Sequence, residues 1–284
     1  MLCSLCPNAC RIDRSVYAGA CGEKDDIRIA KYYLHPYEEP IISGKNGSGT
    51  IFFVGCSLKC AFCQNYELSR SARGKTVTEK ELAEIFKELE REGAHNINLV
   101  SPTHFSDRIV RALTIYRPNI PIVWNTHGYD TIENLKFIDP YVDIYLTDLK
   151  YFSPKRAERY AKKPDYFEVA FKAVKYMIAS KKSVVKDGLM QSGVIVRHLI
   201  LPQNSDETRS ILTALRPEIG DAYLSLMAQY TPFGDLSALP ELKRTITRRE
   251  YDNAVKLADE LSYEHTFTQE FDSQSTSFIP EWDY

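Results

Sequence analysis

The sequence predicts an α/β fold: a parallel sheet with crossover helices. Two observations carry this. From residue 50 onward, short apolar strand-like runs alternate with helical stretches, giving six strand–helix units. One helical stretch shows both of its ends in sequence. Thr78-Glu79-Lys80-Glu81 is a capping box, Leu82, Ile85, Phe86 and Leu89 recur at i, i+3, i+4 and i+7, and Gly93 closes the helix. Six units fall short of the eight that close a full barrel.

Residues 1–47 form a small cysteine-rich N-terminal segment, and 48–284 form the α/β body. In the segment, Cys3, Cys6, Cys10 and Cys21 read C-x2-C-x3-C-x10-C. Four thiols this close are a full ligand set for one zinc, or for an iron–sulfur cluster without an open iron. A segment of this size buries little core, so a metal would help to hold it. Spacing does not choose between the two metals; Cys6-Pro7 resembles the Cys-Pro pair of ferredoxin-like loops. Further on, Glu38 and Glu39 are adjacent and expected as a solvated pair. The stretch 43–49, Ser-Gly-Lys-Asn-Gly-Ser-Gly, is expected as a loop into the first strand. It precedes a strand rather than opening a helix, which argues against a phosphate loop.

The body then runs in order. Strands are expected at 50–55, 96–101, 120–125, 142–150, 194–201 and 223–227. Between them lie helices at 78–93, 106–115 and 131–137, one or two over 154–180, and one from about residue 205. A last helix is expected at 248–261.

Composition bounds the function. Of 284 residues, 44% are apolar and 26% charged, as in an ordinary globular protein. A net charge of −2 gives no long-range pull toward nucleic acid or an anionic membrane. No apolar run approaches the roughly 20 residues of a membrane span. The first residues form neither a charged nor an apolar signal region. Seven cysteines without an export signal lead to the expectation of a reducing cytoplasm.

The chemistry is concentrated in residues 51–66. An apolar run, Ile51 to Val54, meets Gly55, and Cys56, Cys60 and Cys63 follow as C-x3-C-x2-C with Phe62 just before the third thiol. An odd number of thiols on one short loop cannot pair internally. Three thiolates hold a four-iron cluster and leave one iron open. A structural zinc loop with a fourth ligand from elsewhere is the other reading.

This stretch resembles the cluster loop of the radical S-adenosylmethionine (SAM) superfamily. The resemblance implies a [4Fe–4S] cluster on Cys56, Cys60 and Cys63 whose open iron chelates the amino and carboxylate groups of SAM, with Phe62 near the adenine. It implies reductive cleavage of SAM to a 5′-deoxyadenosyl radical that abstracts hydrogen. It also supplies the architecture, a partial (β/α)6 TIM-type barrel open on one side, with its site at the C-terminal strand ends.

Those strand ends carry the remaining candidates. Asn65 has an amide able to donate to a carboxylate. Ser101-Pro102-Thr103-His104 stands where many members have Gly-Gly-Glu. Pro102 removes a backbone donor, leaving carbonyls such as that of Ser101 or the Thr103 hydroxyl for SAM. His104 is either a partner of SAM or substrate, or a satisfied loop histidine. Asn125-Thr126 and Asp148-Leu149-Lys150 resemble stretches of pyruvate formate-lyase activating enzyme that bind a monovalent cation and the SAM carboxylate. Asn125 replaces an aspartate there, which removes a charge from the cation site. Asp148 and Lys150, two apart on a strand, share a face and are expected to meet a ligand or each other. Arg197 suits a SAM or substrate carboxylate. Met227 is expected in the core.

The resemblance to the activating branch covers nearly the whole chain. It implies a glycyl radical enzyme or another protein as substrate, and an electron donor such as flavodoxin or ferredoxin; membrane and nucleic acid are not indicated. Radical modification of another peptide, a nucleic acid or a small molecule is the second reading, and a non-catalytic metal-bound scaffold or sensor the third.

Overall fold

The computed structural model describes residues 2–70 and 73–274. The chain runs β1 (Ile27–His35), α1 (Pro40–Ser43), β2 (Ser48–Phe53), α2 (Tyr66–Arg70), β3 (Lys75–Val77), α3 (Glu79–Arg91), β4 (Ile97–Val100), α4 (Ser106–Ile115), β5 (Ile122–Thr126), α5 (Ile132–Ile138) and β6 (Ile144–Asp148). It continues with α6 (Pro154–Ala161), α7 (Tyr166–Ser180), β7 (Val184–Lys186), β8 (Leu189–Leu199), α8 (Ser205–Leu215), β9 (Tyr223–Met227), α9 (Arg248–Glu260) and β10 (Thr266–Thr268).

One unclosed sheet runs β10-β9-β8-β6-β5-β4-β2-β1-β3, with β7 paired to β8. Neighbours from β2 to β10 are parallel, and β1 is antiparallel to both β2 and β3. This is the partial TIM-type barrel of the expectation. Its six expected strands are β2, β4, β5, β6, β8 and β9. The sheet exceeds them on both sides. The short β10 adds a seventh parallel strand beside β9, and β1 forms a hairpin arm with β2.

Local chemistry explains the helices. In α3 the capping box forms: Thr78 Oγ1 accepts from Glu81 N at 3.2 Å, and the Glu81 carboxylate accepts from Thr78 N at 2.7 Å. Leu82, Ile85, Phe86 and Leu89 are the buried face. The stretch 154–180 divides into α6 and α7. Lys162 is left-handed, and Pro164 disfavours helix at the residue before it.

α1 positions the site from below. Ile42 is fully buried against Val123, Ile144, Leu146 and Ile195. Those residues share a strand face with Asn125, Asp148 and Arg197, because side chains alternate along a strand. The single turn of α1 therefore sits on the concave face of the sheet and stops the barrel at its floor. The 43–49 stretch is thus the end of α1, a turn and the first two residues of β2, and the chain just before it enters the barrel.

Candidate functional site

A cavity opens above that floor at the C-terminal strand ends. Cys56, Cys60, Phe62, Cys63 and Asn65 line it from the loop after β2, and Ser101 from the loop after β4. Asn125, Thr126, Asp148 and Arg197 line it from β5, β6 and β8, and Lys150 from the loop after β6. Met227, expected in the core, also borders it.

The loop after β2 is held from three directions. Gly55 adopts φ +85°, and a Cβ there would lie 2.6 Å from Glu23 Cγ and 2.9 Å from the Cys21 carbonyl, so only glycine fits. Cys56 N donates to that same carbonyl at 3.2 Å, and Ala61 N donates to the Tyr160 carbonyl at 2.8 Å. Phe62 meets Tyr151, Tyr160 and Tyr230 edge-on, with ring centroids 6.2, 5.9 and 5.8 Å away. On the far side, Gln64 Nε2 donates to the Gln229 carbonyl at 3.1 Å. Gln229 Nε2 donates to Gln64 Oε1 at 3.2 Å, and Gln269 Nε2 donates to Gln229 Oε1 at 2.7 Å. This row of amides joins the loop to the ends of β9 and β10.

All seven cysteines are free thiols. Burial pushes Cys60 up to about 11 and Cys63 up to about 12. Burial opposes ionisation of Cys56 as well, but His127 beside it brings that thiol down to about 7. Among the described residues no group of three or more His, Cys, Asp or Glu is arranged as a ready metal site. The donor chemistry still fits a cluster: three thiols of one loop face a single cavity with no disulfide among them, Cys56 and Cys60 buried and Cys63 half-buried. The three are also close enough to disfavour one another's ionisation, the pattern that a shared metal relieves.

Facing the thiols is a buried charge network. Asp148 accepts from Arg197 Nε at 2.8 Å and from Lys150 Nζ at 2.7 Å, one on each oxygen. Arg197 also donates to Asn125 Oδ1 at 2.7 Å and pairs with Glu38 at 3.2 Å. Glu38 further accepts from Asn98 at 2.9 Å and Asn125 at 3.2 Å. Burial opposes the Asp148 charge, yet Arg197 and Lys150 hold its carboxyl below the usual range. Burial pushes Glu38 and Glu39 the other way, Arg197 only partly offsetting it. The Glu38–Glu39 pair is therefore not the solvated pair expected: it lies inside the barrel. Nothing in its sequence neighbourhood reveals this, because its partners come from strands 60 to 159 residues away.

Two candidates lie outside the cavity lining. Thr103 Oγ1 donates to Asp130 Oδ1 at 2.7 Å, and Thr126 Oγ1 donates to the other oxygen at 2.5 Å. His104, fully enclosed, contacts the Val54 carbonyl through Nε2 at 2.7 Å, and burial pushes it down to about 3, so it is neutral. Its surroundings are those of a satisfied loop histidine.

The N-terminal thiols form a second group beside the first loop. Ala20 N donates to Cys10 Sγ at 3.2 Å, and Asn8 Nδ2 lies 3.6 Å from Cys6 Sγ. Gly19 lies between Cys10 and Cys21, its Cβ direction 3.6 and 3.4 Å from the two sulfurs. Asn8 Nδ2 also donates to the Ser57 carbonyl at 2.8 Å, so this group and the central loop share a backbone seam.

The radical SAM superfamily model matches residues 50–213, which contain the thiol loop and five of the parallel strands. The chain belongs to the radical SAM superfamily. Across 267 residues it is 32% identical to the uncharacterized protein MJ0674 of Methanocaldococcus jannaschii, covering 90% of this chain and 74% of that protein. Among solved structures it is similar to SuiB of Streptococcus suis, with TM-score 0.51 and 13% identity. That likeness covers 78% of this chain and 48% of the other, so the chain spans about half the length of SuiB, and it is a likeness of fold. The SAM-bound form of SuiB gives TM-score 0.49 at 13% identity over 78% and 47% of the two chains. A domain of pyruvate-formate lyase-activating enzyme from Bacteroides vulgatus gives TM-score 0.40 at 11% identity over 67% and 91%. Membership of the radical SAM superfamily makes this an enzyme and implies a [4Fe–4S] cluster and SAM. Among the described residues no helix is long and apolar enough to cross a membrane.

Proposed function

We propose that Cys56, Cys60 and Cys63 hold the cluster and that SAM lies between them and the Asp148–Lys150–Arg197 network. The observation that carries this is the single cavity shared by three thiols, Cys56 and Cys60 buried and Cys63 half-buried, and two largely enclosed cations. When bound, the cluster supplies one electron that splits SAM into methionine and a 5′-deoxyadenosyl radical. The chain's own work is positioning and exclusion of water. Lys150 and Arg197 are buried donors suited to the SAM carboxylate, with Asp148 and Glu38 fixing their direction. Phe62, clamped by three tyrosines, presents a rigid aromatic surface on the adenine side. Asn65, Ser101, Asn125 and Thr126 supply amide, carbonyl and hydroxyl groups around the remaining polar atoms of SAM; Thr103 and His104 act from behind by fixing the loops.

We take the hydrogen donor to be a glycine of a partner protein. The Asp148-Leu149-Lys150 stretch resembles that of the activating enzymes, and the unclosed sheet suits a large substrate. The N-terminal thiols would hold zinc or a second cluster, and a flavodoxin or ferredoxin would deliver the electron. Anaerobic protein reconstituted with iron and sulfide, then given dithionite and SAM, is expected to release 5′-deoxyadenosine. A loaded protein that neither binds nor cleaves SAM would leave the scaffold or sensor reading. Cleavage without transfer of deuterium from the labelled glycine of a partner protein into 5′-deoxyadenosine would favour a different peptide, nucleic acid or small molecule.

A further inference from the structure

The residue after Asp148-Leu149-Lys150 is Tyr151, 1% exposed, whose hydroxyl donates to Cys60 Sγ at 3.0 Å. A hydroxyl buried in an apolar, aromatic setting is costly unless it is bonded, and a phenylalanine would fill the same space without that cost. The sulfur is the only partner shown for this hydroxyl among the described residues. The ring has little freedom. Tyr166 packs against it at 5.0 Å, Tyr160 at 5.9 Å and Phe62 at 6.2 Å. Tyr166 is itself pinned, its hydroxyl donating to the carbonyls of His127 and Asp148 at 2.8 and 3.1 Å. The strand end that carries the Asp148–Lys150 pair therefore also carries a fixed O–H dipole aimed at one thiol of the loop.

We propose that Tyr151 is a positioning residue that sets the reduction potential of the cluster through the hydrogen bond to Cys60 Sγ. The inference rests on the assignment of Cys60 as a ligand. Hydrogen bonds to the ligand sulfurs are among the levers that set iron–sulfur potentials. Adding an electron makes the sulfurs more negative, so a donor stabilises the reduced state more than the oxidised one and raises the potential. In the step concerned, one electron passes from a low-potential one-electron donor to the cluster. The Tyr151 O–H bond stays intact and no proton is transferred.

The test is a potentiometric titration, followed by electron paramagnetic resonance, of reconstituted wild-type protein, Tyr151→Phe and Tyr166→Phe. Tyr151→Phe is expected to load iron and sulfide as the wild type does. Its reduction equilibrium should fall about tenfold, which is about 59 mV for a one-electron couple. Tyr166→Phe disturbs the same aromatic packing but keeps the O–H on the sulfur, and is expected to stay close to the wild-type potential. An unchanged potential in loaded Tyr151→Phe overturns the inference, as does an equal fall in Tyr166→Phe. Should Tyr151→Phe load poorly, 3-fluorotyrosine at position 151 keeps the hydroxyl as a stronger donor, and the potential is expected to rise; no rise overturns the inference. A cluster that still loads normally in Cys60→Ala fails the ligand assignment itself, which separates the two failures.

Discussion

Asp148 and Arg197 stand opposite each other in the parallel register of β6 and β8, with carboxylate and guanidinium 2.8 Å apart. Lys150 takes the second carboxylate oxygen, and the remaining guanidinium nitrogens reach Asn125 and Glu38. The positive charge beside Asn125 and Asp148 thus comes from a side chain.

That arrangement predicts independence from monovalent cations. SAM affinity of the reconstituted protein, measured by anaerobic calorimetry, is expected to be the same in potassium, sodium and tetramethylammonium buffers. Arg197→Gln leaves Glu38 without its cation and Asp148 with only one. Breaking a buried pair in this way costs about 3–5 kcal/mol. Chemical denaturation should show that loss, and added potassium should restore part of the SAM affinity in the variant. A wild-type affinity that requires potassium would contradict this account.

The two cysteine groups should separate by metal analysis. Replacing Cys56, Cys60 or Cys63 by Ala is expected to abolish SAM cleavage and the paramagnetic resonance signal of the reduced cluster that SAM perturbs. Replacing Cys6 and Cys10 together should remove only the metal of the N-terminal group, read as iron or zinc per chain, and leave SAM binding in place. Because Cys56 N donates to the Cys21 carbonyl, that double variant should also loosen the central loop and hasten its loss of iron in air.

The amide row makes a third prediction. Gln269→Ala removes the donor to Gln229 and the acceptor of Ala228 N and Gln229 N. At about 0.5–1.5 kcal/mol per hydrogen bond, the loss of three is roughly 1.5–4.5 kcal/mol. It should appear as a several-fold higher KM for SAM and faster hydrogen exchange at residues 228 and 229. Unchanged exchange there would remove Gln269 from the account.

Acid sensitivity gives a fourth. The Glu250 carboxyl, held first by Arg244, then opposed by burial and helped by the backbone N–H groups of Thr247 and Gln203, is brought down to about 2. Its contribution to stability is complete above its ordinary value of 4.5 and drains away as pH falls toward 2. Glu250→Gln is therefore expected to melt earlier than the wild type at neutral pH. The difference should narrow between pH 4.5 and pH 2 in thermal melts, and a gap that stays constant across that window would refute the assignment.

Much of this was legible from local chemistry. The parallel strands are short apolar runs between helices, four of which, α3, α5, α6 and α9, carry a Ser or Thr cap, and the capping box of α3 is written in four residues. Asp148 and Lys150 meet as expected, although β6 ends at Asp148 and Lys150 reaches back from the loop beyond it rather than from the expected strand end at residue 150. What escaped depends on distant partners. β1 mixes tyrosine and basic residues with its apolar ones, and it stands as a strand through its pairing with β2 on one side and β3 on the other. β10 is three residues long and exists through β9. Glu38 belongs to the cavity because α1 carries it inside, and Thr103 is drawn away by Asp130, whose part no motif announces. The hydroxyl of Tyr151 follows a recognised stretch by one position, and its sulfur partner lies 91 residues earlier.

The stopper that Ile42 makes at the bottom of the barrel has a kinetic corollary. With its base plugged, the vessel fills from the rim and the open side of the sheet, so a bulky client of the kind proposed would cover the route by which the nucleotide enters. Under that proposal, spent methionine and deoxyadenosine would wait for the client to depart. Turnover should accordingly be paced by how briskly the client lets go, and excess client added ahead of the nucleotide should slow the first round.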